Sequence, residues 1–353
     1  MKLYPNVTII FLIWILSVFA IFYFGFLSFP NSGNFSRDFF QSLSNWDGGH
    51  FLSIAENGYQ EKFQYAFFPL YPMLIRLVNQ IIGNYNLSAI LISITCIFFA
   101  TQLFYRLVSF DFSKMLAQRC ILFLLFFPTS FYFLVSYSES LFLLLTVLTF
   151  YFLRQKKLFL ATAAAILVSA TRLVGLAVVL GFLIEVQLVY GFSKKNWYVL
   201  FAPLGFAAFC IFLYTKTGDP FYFTVAENHW QRSLSLPGVG FWEGIKGLVN
   251  GQSIKSYPNV VLDLAFAIFG LGLALRTWRF LPMSYSIYSL VSIAIPLLTP
   301  TLSSIPRFLL PIFPIFIVLA LVKNEYVKLF YQVIALMLLS VLAILFINGY
   351  WVS

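Results

Sequence analysis

NWDGGHFLSIAENGYQEKFQYAFFPLYPMLIRLVNQIIG, residues 45–83, is the stretch on which the reading of the whole chain turns. Its first half carries Trp46, Asp47, His50, Glu56, Glu61 and Lys62, in a protein where only 10% of residues are charged. Its second half, residues 67–83, is apolar enough to tempt a membrane-spanning assignment, yet Pro69, Pro72, Arg76, Asn79 and Gln80 interrupt it. Whether that half crosses the membrane decides the sidedness of every later loop.

The surrounding chain has 353 residues, 61% hydrophobic and 20% aromatic, with 44 phenylalanines. Such a composition cannot hide its apolar surface inside one soluble globule. The expected class is all-α, a polytopic integral membrane protein forming a single integral-membrane domain over residues 1–353. A spanning helix needs roughly 20 apolar residues at about 1.5 Å each. On that scale there are about eleven segments: 7–29, 86–106, 120–137, 138–153, 158–172, 173–191, 197–215, 259–276, 283–299, 308–322 and 329–348. Residues 120–153 as one helix would reach about 50 Å, far beyond a hydrocarbon core of about 30 Å, and 158–190 would do the same. Polar breaks at Ser138-Glu139-Ser140 and Thr171-Arg172 are therefore expected to split each run in two. The first segment is too long for a signal-peptide core and has no small-residue cleavage site behind it, so it reads as a retained span.

Charge then assigns sidedness. If residues 67–83 do not span, one face collects Lys2, Arg106, Lys114, Arg119, Arg154, Lys156, Lys157, Lys194, Lys195, Arg276, Arg279, Lys323 and Lys328. Of the acids, only Asp111, Glu185 and Glu325 join them. The positive-inside rule makes this face cytoplasmic. A span at 67–83 would flip every later loop and destroy the asymmetry, so the segment is expected to be an interfacial or re-entrant helix. The N-terminus is then cytoplasmic, and two loops, about 30–85 and about 216–258, face outward. The formal charge of +10 comes in twos and threes between apolar runs, the distribution of loop charges that orient helices, and not of a nucleic-acid surface. Cys96, Cys120 and Cys210 fall in apolar segments, so they imply packing and no disulfide framework. No repeat of fixed period appears, nor a matched pair of broken helices of the transporter kind.

Asp47 precedes GGHFLSIAENG, which reads as a short amphipathic helix ending near Asn57-Gly58 with Asp47 as its N-cap. Capping and catalysis are compatible, because a cap fixes a carboxylate in space. His50 lies three residues on, on the same side of that helix. No third ligand at a recognised spacing accompanies the pair, so no metal is expected and His50 either orients the site or is structural. Glu139, Arg172, Asp219, His229, Arg232 and Arg307 all fall on the outer face in this topology. Each has a plain alternative: Glu139 and Arg172 as interfacial residues, Arg307 as an anchor before a span, residues 218–232 as an amphipathic loop. With Trp46 and Trp230 they place carboxylates, guanidiniums, imidazole and indole beside Asp47. That suits a substrate half in the membrane and half in water.

The blocks NWDGGHFLSIAENGY, AFFPLYPMLIR, SYSESLFLLL, ATRLVG, GDPFYFTVAENHWQR and SSIPRFLLPIFP run in this order over about residues 45–318. Together they resemble the PIG-V family, the type of the second mannosyltransferase of GPI-anchor assembly, within the GT-C class of polytopic glycosyltransferases. The resemblance implies a GT-C-like fold that moves a hexose, with mannose as the expected sugar, from a polyprenyl-phosphate carrier to an acceptor hydroxyl outside the cytoplasm. The implied partners are that lipid-linked donor, a glycan, glycolipid or protein acceptor, and membrane lipids; no cofactor is implied. Asp47 matches the acidic residue that serves as base in the first outer loop of GT-C enzymes, and a positioned base contributes about 100- to 10,000-fold. Glu139 would orient an arginine or the acceptor, with His50 beside the base. Arg172, Arg232 and Arg307 would hold the leaving phosphate, since guanidinium pairs with phosphate bidentately. Trp46, Asp219, His229 and Trp230 complete the implied substrate site. The short chain and compact outer loops suit a bacterial or archaeal member, in its plasma membrane; a eukaryotic one would sit in the endoplasmic reticulum. A polyprenyl-lipid carrier or flippase would use the same arginine-lined site without a base.

Overall fold

The computed structural model describes residues 4–33, 35, 38–250 and 260–352. Lys2 and residues 251–258 of the expected second outer loop lie outside the described residues. All regular structure among the described residues is helical. The first part comprises α1 (Pro5–Ser28), α2 (Phe39–Ser42), α3 (Asp47–Asn57), α4 (Leu70–Ile82) and α5 (Tyr85–Val108). Then come α6 (Lys114–Leu125), α7 (Glu139–Arg154), α8 (Leu158–Ser169), α9 (Gly175–Val189) and α10 (Leu204–Thr217). The remainder is α11 (Tyr222–Ala226), α12 (Val239–Val249), α13 (Val260–Phe280), α14 (Met283–Leu297), α15 (Ile305–Leu309), α16 (Phe313–Ala320) and α17 (Glu325–Ile347).

Among the described residues, five helical stretches are long and apolar enough to cross a membrane: Pro5–Ser28, Tyr85–Val108, Trp197–Thr217, Val260–Phe280 and Glu325–Ile347. The chain is an integral membrane protein. The other expected segments appear as shorter helices, α6, α7, α8, α9, α14 and α16, so an expectation of about eleven spans is met by five of full length. The shortening has a local cause. Helix α6 stops at Leu125 instead of continuing to residue 137, because Pro128 has no N–H to give to the helical ladder. The chain turns through a 3-10 stretch, Ser130–Phe133, before α7 begins at Glu139. Buried backbone away from water must find internal partners. Here side chains supply them: Ser130 Oγ donates to Leu125 O (2.5 Å), Thr129 Oγ1 to Pro306 O (2.9 Å) and Ser140 Oγ to Phe133 O (2.8 Å).

The second run breaks between α8 and α9, around Thr171-Arg172 as its sequence suggests. Gly175 closes that turn so tightly that a Cβ there would lie 2.4 Å from Val168 O. Helix α5 packs against α4, α6 and α7, α1 lies along α17, and α14 packs on α9 and α13. Helix α4, the disputed segment, has 13 residues and is about 20 Å long, short of a core of about 30 Å. It buries Tyr71, Pro72 and Ile75 and turns Met73, Leu77 and Ile81 outward, the two-faced character of an interfacial helix.

Candidate active site

Helix α3 starts one residue earlier than a capping Asp47 would allow. Trp46 occupies the N-cap, and Asp47 is the first helical residue, so its carboxylate is not spent on the helix N-terminus. It turns instead to Arg307 on α15, whose Nη1 donates to Asp47 Oδ2 at 2.6 Å. The same guanidinium reaches Glu139 at the head of α7, with Nε 3.6 Å from Oε1. Arg172, in the α8–α9 break, donates from Nη1 to that Oε1 at 2.5 Å and to Ser138 Oγ at 3.3 Å. The result is an alternating row, Asp47, Arg307, Glu139, Arg172, assembled from the starts of three helices and one broken helix. Glu139 is buried, and its Oε2 has no hydrogen-bond partner among the described residues.

A third arginine closes on the same place. Arg232 donates from Nη2 to Ser303 O at 2.9 Å and lies 3.9 Å from Glu227. The guanidinium carbons of Arg232, Arg307 and Arg172 stand 4.7, 5.3 and 5.8 Å from the centre of one ring, Phe308. Three cations around one aromatic ring gain from its electron-rich faces. They repel one another, and the acids Asp47, Glu139 and Glu227 supply the compensating charge that buried cations require.

These side chains line a cavity of about 410 Å³ whose remaining wall is largely apolar, including Phe67, Phe68, Leu298 and Phe308. Of the residues singled out in the sequence, Asp47, Glu139, Arg172, Trp230, Arg232 and Arg307 line it. Trp46, His50, Asp219 and His229 do not. His50 packs among the rings of Phe63, Phe67 and Trp230, and His229 stacks on Phe63 with centroids 4.5 Å apart. Asp219 Oδ1 accepts from Phe221 N at 2.8 Å, which uses it to shape the turn before α11. Glu227 was not singled out, although it is the one acid between Asp219 and Arg232. Tyr132 and Tyr137 have ring centroids 5.5 and 5.4 Å from the Arg307 guanidinium; Tyr137 falls in the block around Glu139, and Tyr132 has no such mark.

Burial pushes the Asp47 carboxyl upward, but the charge and hydrogen bond of Arg307 outweigh it and hold the group below the usual carboxylate range. Burial lowers His50, against the pull of Asp47. Burial raises Glu227, against the pull of Arg232. No cluster of three metal-ligating side chains occurs among the described residues.

Backbone strain gathers at the same place. Four non-glycine residues among those described have positive φ: Trp46, Lys156, Gln231 and Ser304. Three of them lie within three positions of Asp47, Arg232 or Arg307, and such conformations cost on the order of 1–3 kcal/mol each and persist only where the surroundings impose them.

The family model described as Mannosyltransferase (PIG-V) matches residues 26–211, which include Asp47, Glu139 and Arg172. The GPI mannosyltransferase 2 of Drosophila melanogaster is 30% identical over 111 residues, covering 28% of this chain and 25% of the relative. The human GPI alpha-1,6-mannosyltransferase 2 is 35% identical over 119 residues, covering 30% of this chain and 23% of the relative. The chain thus spans about a quarter of the length of these curated relatives.

Proposed function

The chain belongs to the mannosyltransferase (PIG-V) family, and on that premise we propose that it transfers a mannosyl group from a polyprenyl-phosphate-linked donor to an acceptor hydroxyl. The observation that carries this reading is the convergence of Arg172, Arg232 and Arg307 on Phe308 in the cavity that Asp47 also lines. A phosphate monoester leaving group develops negative charge, and pre-placed guanidiniums stabilise it in a site shielded from water. The apolar wall suits a donor whose carrier is a lipid.

In the proposed reaction the acceptor oxygen attacks the anomeric carbon, the bond from that carbon to the phosphate oxygen breaks, and the electron pair leaves with the phosphate. Asp47 accepts the hydroxyl proton. Its pairing with Arg307 makes it a weak base before donor binds. Donor phosphate competing for the Arg307 donors would loosen that pair and raise the proton affinity of the carboxylate when it is needed. Glu139 holds Arg172 and Arg307 in register. The names of the relatives point to a glycolipid as acceptor, with glycan and protein acceptors as the other classes. The extracytoplasmic placement of the cavity and the GT-C class belong to the same proposal and rest on the loop charges and the motif blocks.

Vesicles containing the protein, given radiolabelled polyprenyl-phosphate mannose and a panel of acceptors, test it. Transfer is expected, with Asp47→Asn lowering it about 100- to 10,000-fold at equal protein abundance. Undiminished transfer by Asp47→Asn removes Asp47 as the base. Movement of labelled donor across the bilayer with no new glycosidic bond replaces the transferase reading by that of a carrier.

A further inference from the structure

Trp46 has φ +59° and ψ −124°, a backbone conformation foreign to a bulky residue, and it stands immediately before Asp47. Besides the ring of Phe35, 5.0 Å away between centroids, its partners come from the far end of the described chain. The Trp46 indole N–H donates to Tyr350 O at 3.3 Å, and its ring meets that of Trp351 edge-on with centroids 4.9 Å apart. Asn45 Nδ2 donates to Phe346 O at 3.0 Å, which fixes the preceding residue to the end of α17. Residues 349–352 are tied at their other end as well: Tyr132 Oη donates to Val352 O at 2.5 Å. The Tyr132 ring faces the Arg307 guanidinium. Tyr137, the other ring facing that guanidinium, donates from Oη to Asn45 O at 3.0 Å. Trp351 itself lines the cavity. The segment can fold back this closely because Gly349 has φ +77°; a Cβ there would lie 2.6 Å from Phe35 Cδ2.

We propose that residues 349–352 are a positioning element of the active site: through Trp351 and Tyr350 they clamp Trp46 in its strained conformation and so set Asp47 against Arg307. The clamp holds both members of the ion pair, Asp47 through Trp46 and Arg307 through the Tyr132 ring. It lies outside residues 26–211, the segment that the family model matches. Trp351 touches no reacting group in this role, so it is a positioning residue. The proposal rests on the transferase reading for its effect on turnover, but its structural core can be measured without activity.

The test is a double-mutant cycle on the purified full chain in detergent, with Trp46→Gly, Trp351→Ala and the double variant. Three quantities are read for each: the thermal unfolding midpoint, and kcat and KM for radiolabelled polyprenyl-phosphate mannose. Glycine adopts positive φ without strain and has no ring for Trp351 to hold. Trp351→Ala is therefore expected to lower kcat about ten- to hundredfold with KM changed by less than about twofold, as misplacement of a catalytic group does. Trp351→Phe, which keeps a ring against Trp46, restores most of the loss. In the Trp46→Gly background Trp351→Ala changes neither the midpoint nor kcat further. Additive effects on both readings, or full kcat in Trp351→Ala, overturn the clamp. Should Trp351→Ala not fold, Trp351→Leu takes its place in the cycle. Absence of transfer in the wild type refutes the transferase reading alone, since coupling of the unfolding midpoints still decides the clamp.

Discussion

At the scale of the residue, Asp47 stands between two opposing influences. Burial favours its neutral form, and Arg307 at 2.6 Å favours the carboxylate more strongly, so its folded pKa lies below its unfolded one. A depressed acid contributes stability that is present above its unfolded pKa and lost as pH falls through the folded value. The donor-bound state should differ, because phosphate draws on the Arg307 donors and Asp47 becomes more basic. The acidic limb of kcat, which reports the donor complex, is thus expected at higher pH than that of kcat/KM for the donor, which reports the free protein. Coincident limbs in a pH–rate series would show that Asp47 does not sense the phosphate. The motif around Asp47 marks it in the sequence as a chemical group. Its partner, 260 positions away, stands in a motif block of its own, but nothing in either block says that the two meet, or that the rings of Tyr132 and Tyr137 face that partner.

At the scale of the element, two broken helices deliver two of the charges. Glu139 heads α7 because the chain ahead of it cannot stay helical through Pro128. Arg172 points into the cavity from the break between α8 and α9. Gly175 seals that break against backbone, so Gly175→Ala cannot be relieved by a side-chain rotation. This variant is expected to lose about 1–3 kcal/mol of stability and to raise the donor KM, read by unfolding in detergent and by transfer kinetics. Gly272→Ala in α13 is its control, since a Cβ there meets nothing within 4 Å and both readings should hold. The existence of both breaks was legible, because a single helix of about 50 Å cannot match a bilayer. Their exact limits were not, since they depend on which buried carbonyls find side-chain donors.

At the scale of the whole molecule, two amphipathic helices border the cavity segments. Helix α4 packs on α3, and Gly240 of α12 comes close to Thr299 and Leu302 of the loop ahead of α15. Both turn apolar side chains outward, Met73, Leu77 and Ile81 on the one, Trp242, Ile245 and Val249 on the other. This two-faced build suits a headgroup-level position for both, which under the proposed function would bring the lipid-linked donor within reach of the cavity. Sidedness is testable directly. In a variant with Cys210 replaced by Ser, a cysteine at Gln60 is expected to react with an impermeant thiol reagent from outside the cell. One at Lys194 is expected to react only after the membrane is opened. The reverse pattern would invert the topology and place the cavity on the cytoplasmic side.

Composition, segment length and the positions of Pro, Gly and charge are local quantities, and from them follow the all-helical membrane class, the two breaks and the short helix α4. The motif blocks likewise mark Asp47, Glu139 and the three arginines. Which of these charges meet is not a local quantity. It depends on how α3, α7, α15 and the loop after α11 pack, and that packing admits Arg232 and Glu227 to the cavity while leaving His50, His229 and Asp219 outside it. The conformation of Trp46 belongs to the same kind. No sequence preference puts a tryptophan at positive φ, so tertiary contacts hold it there, among them those of Tyr350 and Trp351, some 300 positions away.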